Sequence, residues 1–398
     1  MTNDNADNEK NNPQVGAEDV PTDAMGTARR LWASVGPERW RLVVAVACSV
    51  GNVVLTLAAI SYSAGLVDLL WRNIQAAWAA GGDYVTAFGN GGREILTYLG
   101  IWTTLAPLVV YKVSAVFDQS IWGFVGISYV TFKATQVVIE VHDGLIARDE
   151  LGLEDWLYFL LFFPQFSSGP IDRSRRFAAD AHATPFRDEY AGMLARGILL
   201  LLAGAVYKVV VATWIHRFYV PSATGDALQQ LQTALLYGLY LFCDFQGYSL
   251  MAMGASYCLG IRCPRNFRAP FAAVDIIDFW NRWHITLSTW FRDFVFMRFT
   301  RWVMHRKLLH DRLQVAMCAF MVDMLVMGFW HGIAWCYIGY GIYHGVLLAV
   351  TQAMQKRWGF YKKHRRDRWF RACSWAVTQA LVFLGFAIFS GQVGMLLG

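Results

Sequence analysis

An all-α polytopic membrane protein is the fold class this sequence predicts, on three observations. Of its 398 residues, 56% are hydrophobic and 16% charged, against about 45–50% and about 25% in soluble domains. Apolar runs of about 20 residues, long enough to cross about 30 Å of hydrocarbon, recur along the chain. Aromatic residues reach 15%, with 17 Trp and 17 Tyr, as interfacial belts require. A single soluble globule and a disordered chain are both excluded.

Residues 1–38, rich in Asn, Asp, Glu and Pro, read as a disordered polar tail, and 39–398 as one integral membrane domain. No charged-then-apolar start marks a cleavable signal, so the first apolar segment is expected to act as an anchor. Segments long enough to span are 41–70, 94–116, 119–141, 190–215, 229–257, 314–332, 334–354 and 372–397. Two more are apolar but interrupted: 156–171 contains Pro164 and Gly169-Pro170, and 270–300 mixes Trp and Phe with charge. These two also read as re-entrant or in-plane, and such backbone survives at depth only when buried in protein or beside a cavity. The total is about 9–12 transmembrane and re-entrant helices.

The net charge of +6 is unevenly spread: outside residues 1–30, 32 bases face 23 acids. Basic clusters sit before residue 41, at 173–176, 262–268 and 301–312, and most densely at 356–371; the stretch 140–155 is acidic. If 156–171 crosses and 270–300 returns, every basic cluster falls on one side and the acidic stretch on the other. The positive-inside rule makes the basic side cytoplasmic, in a multi-pass protein of the cell membrane. The excess suits anionic lipid or an acidic partner. Nucleic acid is excluded as a partner, because the bases lie between apolar segments and form no soluble basic face. The seven cysteines include no CxxC and read as small buried hydrophobes. P-loop, HExxH, GxSxG and GxGxxG patterns are absent, as is any His/Cys set with metal spacing, so no bound cofactor or metal is expected.

Polar residues inside apolar segments are costly and therefore candidates for function. Of nine histidines, His182, His305, His310 and His364 lie in polar loops, while His142 and His216 sit at segment ends. His331 ends a strongly apolar helix in Met327-Gly-Phe-Trp330-His331-Gly332. It can be a neutral imidazole that accepts a proton near pH 7, or a histidine bonded to a backbone carbonyl between helices. His284 lies in the run 278–293, where Trp280, Trp283, His284, Leu287 and Phe291 share one helical face and Asp278, Asn281 and Arg282 take the other. That pattern describes an interfacial helix, either an aromatic anchor or the roof of a cavity. His344 shares a face with Tyr337 and Tyr340, which suits a cavity wall or an interhelical hydrogen bond. Asp244 sits in an otherwise apolar helix and must pair with a cation or be protonated, a histidine or a helix-end arginine being the obvious partner. The doubly broken Phe163–Arg173, with Ser168 inside it, suits a loop lining a cavity.

Together the stretches 126–144 (GISYVTFKATQVVIEVHDG), 158–177, 241–254, 266–271, 278–296 and 327–345 (MGFWHGIAWCYIGYGIYHG) resemble the membrane-bound O-acyltransferase family. SSGPIDR at 167–173 favours its teichoic-acid D-alanylating branch over its polysaccharide O-acetylating branch. The N-terminal tail and residues 41–93 depart from the family pattern. The resemblance implies a ring of helices around a thin centre, with funnels from both faces meeting at the key histidine. It makes His331 the general base and His284 the second catalytic histidine, near the cytoplasmic mouth. It also implies a donor, D-alanine thioesterified to the phosphopantetheine arm of a small acidic carrier protein that would suit the cytoplasmic basic loops. An extracellular-side D-alanylation partner and a teichoic-acid acceptor complete the implied set. On this reading Trp330 shapes the pocket, Asp244 is a candidate orienter, and Asp278, Asn281, Arg282 and Trp283 hold the pantetheine arm beside Ser168 and His344. The alternatives are an O-acetylase of a cell-surface polysaccharide or peptidoglycan, and a non-catalytic transporter or scaffold.

Overall fold

The computed structural model describes residues 127–146, 152–219 and 227–397, with scattered positions between 98 and 108. The expected tail over 1–38, its boundary with the membrane domain, the segment 41–70 and most of 94–116 lie outside the described residues. In order, the helices are α1 (Ile127–His142), α2 (Leu153–Leu161), α3 (Ser174–Ala181), α4 (Arg187–His216), α5 (Ala227–Cys258), α6 (Ile276–Trp280) and α7 (Ile285–Phe291). They continue as α8 (Met297–His305), α9 (Arg312–His331), α10 (Trp335–Arg357), α11 (Gly359–His364), α12 (Arg368–Phe389) and α13 (Gln392–Leu397). No strand occurs among the described residues.

Among the described residues, α4, α9 and α12 are long and apolar enough to cross a membrane. The 32-residue α5 and 23-residue α10 have the length. Their composition is less apolar because they carry the polar side chains that face inward, Asp244 on α5 and Tyr340 and His344 on α10.

Glycine permits the tightest helix crossings. A Cβ at Gly204 would lie 2.6 Å from the Gly247 carbonyl oxygen, and one at Gly254 would lie 2.6 Å from that of Gly197. The pairs are two helical turns apart on each helix, so α4 and α5 run antiparallel along a small-residue seam, as membrane helices do where backbones must touch. The α9–α10 hairpin closes the same way, with Gly341 against the Met324 carbonyl.

Helix ends sort by charge. The start of α4, the stretch after α5, the start of α9, the end of α10 and the start of α12 carry Arg187, Arg262, Arg312, Arg357 and Arg368. The opposite ends, at 216–219, 331–335 and 389–392, hold one Arg or Lys, Arg217. This is the asymmetry the positive-inside rule describes.

The topology in which 156–171 crosses the bilayer is overturned in favour of the re-entrant reading of the same segment. Ser174 Oγ donates to Glu140 Oε2 at 2.9 Å, His182 Nε2 meets Asp155 Oδ1 at 2.7 Å and Arg298 meets Asp143 at 2.5 Å. The acidic stretch therefore lies on the basic face, against the arginines it was expected to oppose. The reason is length. α2 has nine residues, about 14 Å of helix, and the chain breaks at Phe162 ahead of Pro164. The segment is re-entrant.

The single interfacial helix expected over 278–293 is also corrected. It is two short helices, α6 and α7, separated by a turn in which His284 adopts a left-handed conformation (φ 43°, ψ 49°). The two-faced partition survives, with Trp280, Trp283, His284, Leu287 and Phe291 buried and Asn281 exposed.

A buried polar framework ties these broken segments together. The Thr286 hydroxyl, on α7, accepts from the Ile171 backbone N–H at 2.9 Å and donates to Asn266 Oδ1 at 2.6 Å. Asn266 donates onward to Ser249 of α5 at 3.0 Å, and its carbonyl accepts from Ile285 N–H at 2.8 Å. The carboxylate of Asp172, 1% exposed, accepts from Gln165, Arg176 and the Arg173 N–H. Arg173 reaches across to Asp293 at 2.5 Å and stacks on Phe294. Fully buried Lys133 of α1 donates to the Phe159 carbonyl at 3.0 Å, satisfying an orphan acceptor at the end of α2.

Two stability measurements test this packing. Gly247→Ala forces a Cβ into the Lys208 backbone and should cost about 1–3 kcal/mol, read as a lower thermal midpoint in detergent, whereas Gly359→Ala, with open space around it, should leave the midpoint unchanged. Thr286→Val strands the Ile171 N–H and should cost about 2–3 kcal/mol in the same assay, while Thr286→Ser recovers most of it.

Candidate active site

The α5 helix, the re-entrant loop after α2, the α6–α7 turn and the α9–α10 hairpin converge on one cavity of about 520 Å³. His284 and His331 both line it, joined by Trp283, Trp330, Ser168 and Asp244 from the sequence-derived set. Residues from eight separate stretches of sequence thus share one space.

His331 is the last residue of α9, and Gly332 leaves the helix in an extended conformation. Its half-buried ring packs on Trp330 (centroids 4.5 Å) and edge-on to Phe389 (4.9 Å). A side chain at Gly332 would strike the Tyr337 ring, so this glycine keeps the turn after the histidine narrow. His284 is 6% exposed, and its Nε2 faces the Tyr129 hydroxyl at 3.5 Å. A left-handed non-glycine residue is uncommon and costs about 1 kcal/mol or more, and such residues cluster at functional sites. Here the Asn266 carbonyl and the Thr286 hydroxyl hold the backbone around it. The two imidazoles are close enough to interact electrostatically.

The partner of Asp244 is neither a histidine nor a helix-end arginine. It is Lys208, from the middle of α4, at 2.5 Å. Lys208 lies in a π-helical stretch, Val206–Ala212, beside the Gly204–Gly247 crossing. π-bulges recur at functional sites because they re-aim one turn of side chains. Four residues beyond Asp244, the Tyr248 hydroxyl meets Ser167 Oγ at 2.5 Å, fastening the re-entrant loop to α5. Gly169 allows that loop its tightness, since a Cβ there would lie 2.6 Å from the Gln165 Cα.

The remaining sequence-derived candidates lie outside the cavity lining. His344, 1% exposed, stands one layer behind it and accepts from Trp280 Nε1 at 3.3 Å. Gly385 makes room for its ring, because a Cβ there would lie 2.5 Å from its Nε2. Asp278 and Arg282 pair with each other at 2.7 Å, and Arg282 also donates to the Arg268 carbonyl. Their visible work is bracing the turn that presents His284. Asn281 is exposed at the end of α6.

Sequence reasoning missed Lys208, Tyr129 and Tyr248 as lining residues, while Tyr340 and Ser167 belong to a face and a loop it had set against a cavity. The rule that singled out Asp244, a charge inside an apolar segment, could have found Lys208. A half-buried imidazole in a cavity shared with a second one and with a paired lysine and aspartate can accept a proton from a bound hydroxyl.

The description of the membrane-bound O-acyltransferase family matches residues 92–391. A protein of Streptococcus thermophilus named teichoic acid D-alanyltransferase is 37% identical over 86% of this chain and 86% of its own length. A Bacillus subtilis protein of the same name is 42% identical over 68% of this chain and 69% of its own. A probable alginate O-acetylase of Azotobacter vinelandii is 31% identical over 67% of this chain and 51% of its own length. The matched region holds both cavity histidines and every helix that builds the cavity. The chain is a membrane acyltransferase and belongs to the membrane-bound O-acyltransferase family.

Proposed function

We propose that this enzyme transfers D-alanine to teichoic acid, taking it as a thioester from the phosphopantetheine arm of an acidic carrier protein on the basic, cytoplasmic face. His331 is the general base that takes the proton of the acceptor hydroxyl as it attacks the acyl carbon. The thiol leaves with the proton His331 received, and the activated thioester supplies the driving force, so the step needs no external energy source. The protein sits as a multi-pass component of the cytoplasmic membrane, of the Gram-positive kind. An extracellular-side partner hands the acyl group on.

The observation that carries this reading is the pairing of His331 and His284 on one cavity. The relatives named D-alanyltransferase favour the D-alanyl group, being more similar than the alginate O-acetylases and covered over more of their own length. The Lys208–Asp244 pair keeps the cavity near neutrality, which suits a substrate that must cross low-dielectric space. The acetyl-transfer reading stands on the 31% identity to O-acetylases.

Labelled D-alanyl carrier supplied to proteoliposomes tests the assignment. Wild type should transfer label to teichoic acid, and His331→Ala should lose at least about 10²–10⁴-fold in rate while eluting as a folded species in detergent. Retained transfer in His331→Ala removes the base assignment. Transfer from an acetyl donor and none from the D-alanyl donor selects the O-acetylase reading.

A further inference from the structure

We propose that the Tyr340 hydroxyl is the hydrogen-bond donor that stabilises the oxyanion formed during transfer, an inference that rests on the acyl-transfer reading above. Three phenols line the cavity. Two are engaged: Tyr129 with His284 and Tyr248 with Ser167. The third, Tyr340, makes no hydrogen bond among the described residues, yet its oxygen is not sealed in protein as the unpartnered Trp330 Nε1 and His284 Nδ1 are. Its ring is 3% exposed, so the open space its hydroxyl reaches is the cavity.

The ring is held on every side. It packs edge-on against His344 (4.5 Å), Phe389 (5.1 Å) and Trp280 (6.4 Å). It meets the His331 ring at 6.4 Å and 89°. The glycine-closed α9–α10 hairpin fixes the spacing between these two residues, since Gly341 follows Tyr340 directly and lies against α9. A donor fixed before the reaction costs no reorganisation when charge develops.

The electrons balance around that donor. The acceptor oxygen bonds to the acyl carbon as His331 takes its proton, and the carbonyl π pair moves onto the carbonyl oxygen, where the Tyr340 O–H meets it. The pair then returns, the carbon–sulfur bond breaks, and the leaving thiolate takes the proton from His331. Tyr340 keeps its own proton throughout.

Purified enzyme in proteoliposomes, given D-alanyl-pantetheine or acetyl-pantetheine with lipoteichoic acid as acceptor, tests the proposal. Tyr340→Phe keeps the packed ring and should lower kcat by about 10²–10³-fold with KM and thermal midpoint unchanged. Tyr343→Phe, on the same helix, loses its hydrogen bond to the Leu381 carbonyl and should turn over as wild type does. Turnover of Tyr340→Phe within about threefold of wild type overturns the proposal, as does a loss carried by KM or by unfolding. Wild type active only with acetyl-pantetheine overturns the D-alanyl reading alone, because Tyr340→Phe is compared on whichever thioester the wild type uses.

Discussion

Backbone that leaves a helix at membrane depth must have its N–H and C=O groups paired inside the protein, and this constraint governs the molecule. Among the described residues, the loop after α2 and the stretch between α5 and α7 leave helical geometry beside the cavity. The Thr286 hydroxyl bonds to both, through the Ile171 N–H and the Asn266 side chain. With Asp172 and its donors it turns two costly breaks into one rigid wall. Ser167, Ser168 and His284 reach the cavity because that wall puts them there.

The other wall is helical, and its precision comes from close approach. Glycines on α4 and α5 bring the helices together until Lys208 reaches Asp244, and glycines on α9 and α10 set the distance between His331 and Tyr340. Both side chains of the Lys208–Asp244 pair stay about one-third exposed, 35% and 34%, because they line the cavity. Asp278, Arg282 and His344 stand behind the lining and brace the turn and helices that form it.

Much of this was legible in the chain itself. His284 and His331 each stand in an apolar, aromatic setting where a histidine needs a reason. The broken motif at 163–173 announces a loop against a cavity, and Asp244 announces a partner. The partner itself was not legible, because Lys208 belongs to a different helix and pairing across helices leaves no trace in local pattern. Nor was the break at 281–284, since an amphipathic repeat reads the same whether the helix is continuous or interrupted at a left-handed residue. The side of the membrane taken by 140–155 was misread because apolar composition at 156–171 concealed a helix too short to cross. Asp278 and Arg282, expected to hold the pantetheine arm, are paired with one another in the fold.

The central claim is that one cavity, framed by buried polar contacts, receives the acyl group against His331. A structure of the enzyme with a non-hydrolysable thioether analogue of D-alanyl-pantetheine tests it most directly. The account predicts the acyl carbon inside the cavity, where an acceptor oxygen bonded to His331 can stand about 3–3.5 Å away, with the pantetheine arm running toward the basic face. An analogue seated elsewhere, with the space between His284 and His331 closed to it, would contradict the account.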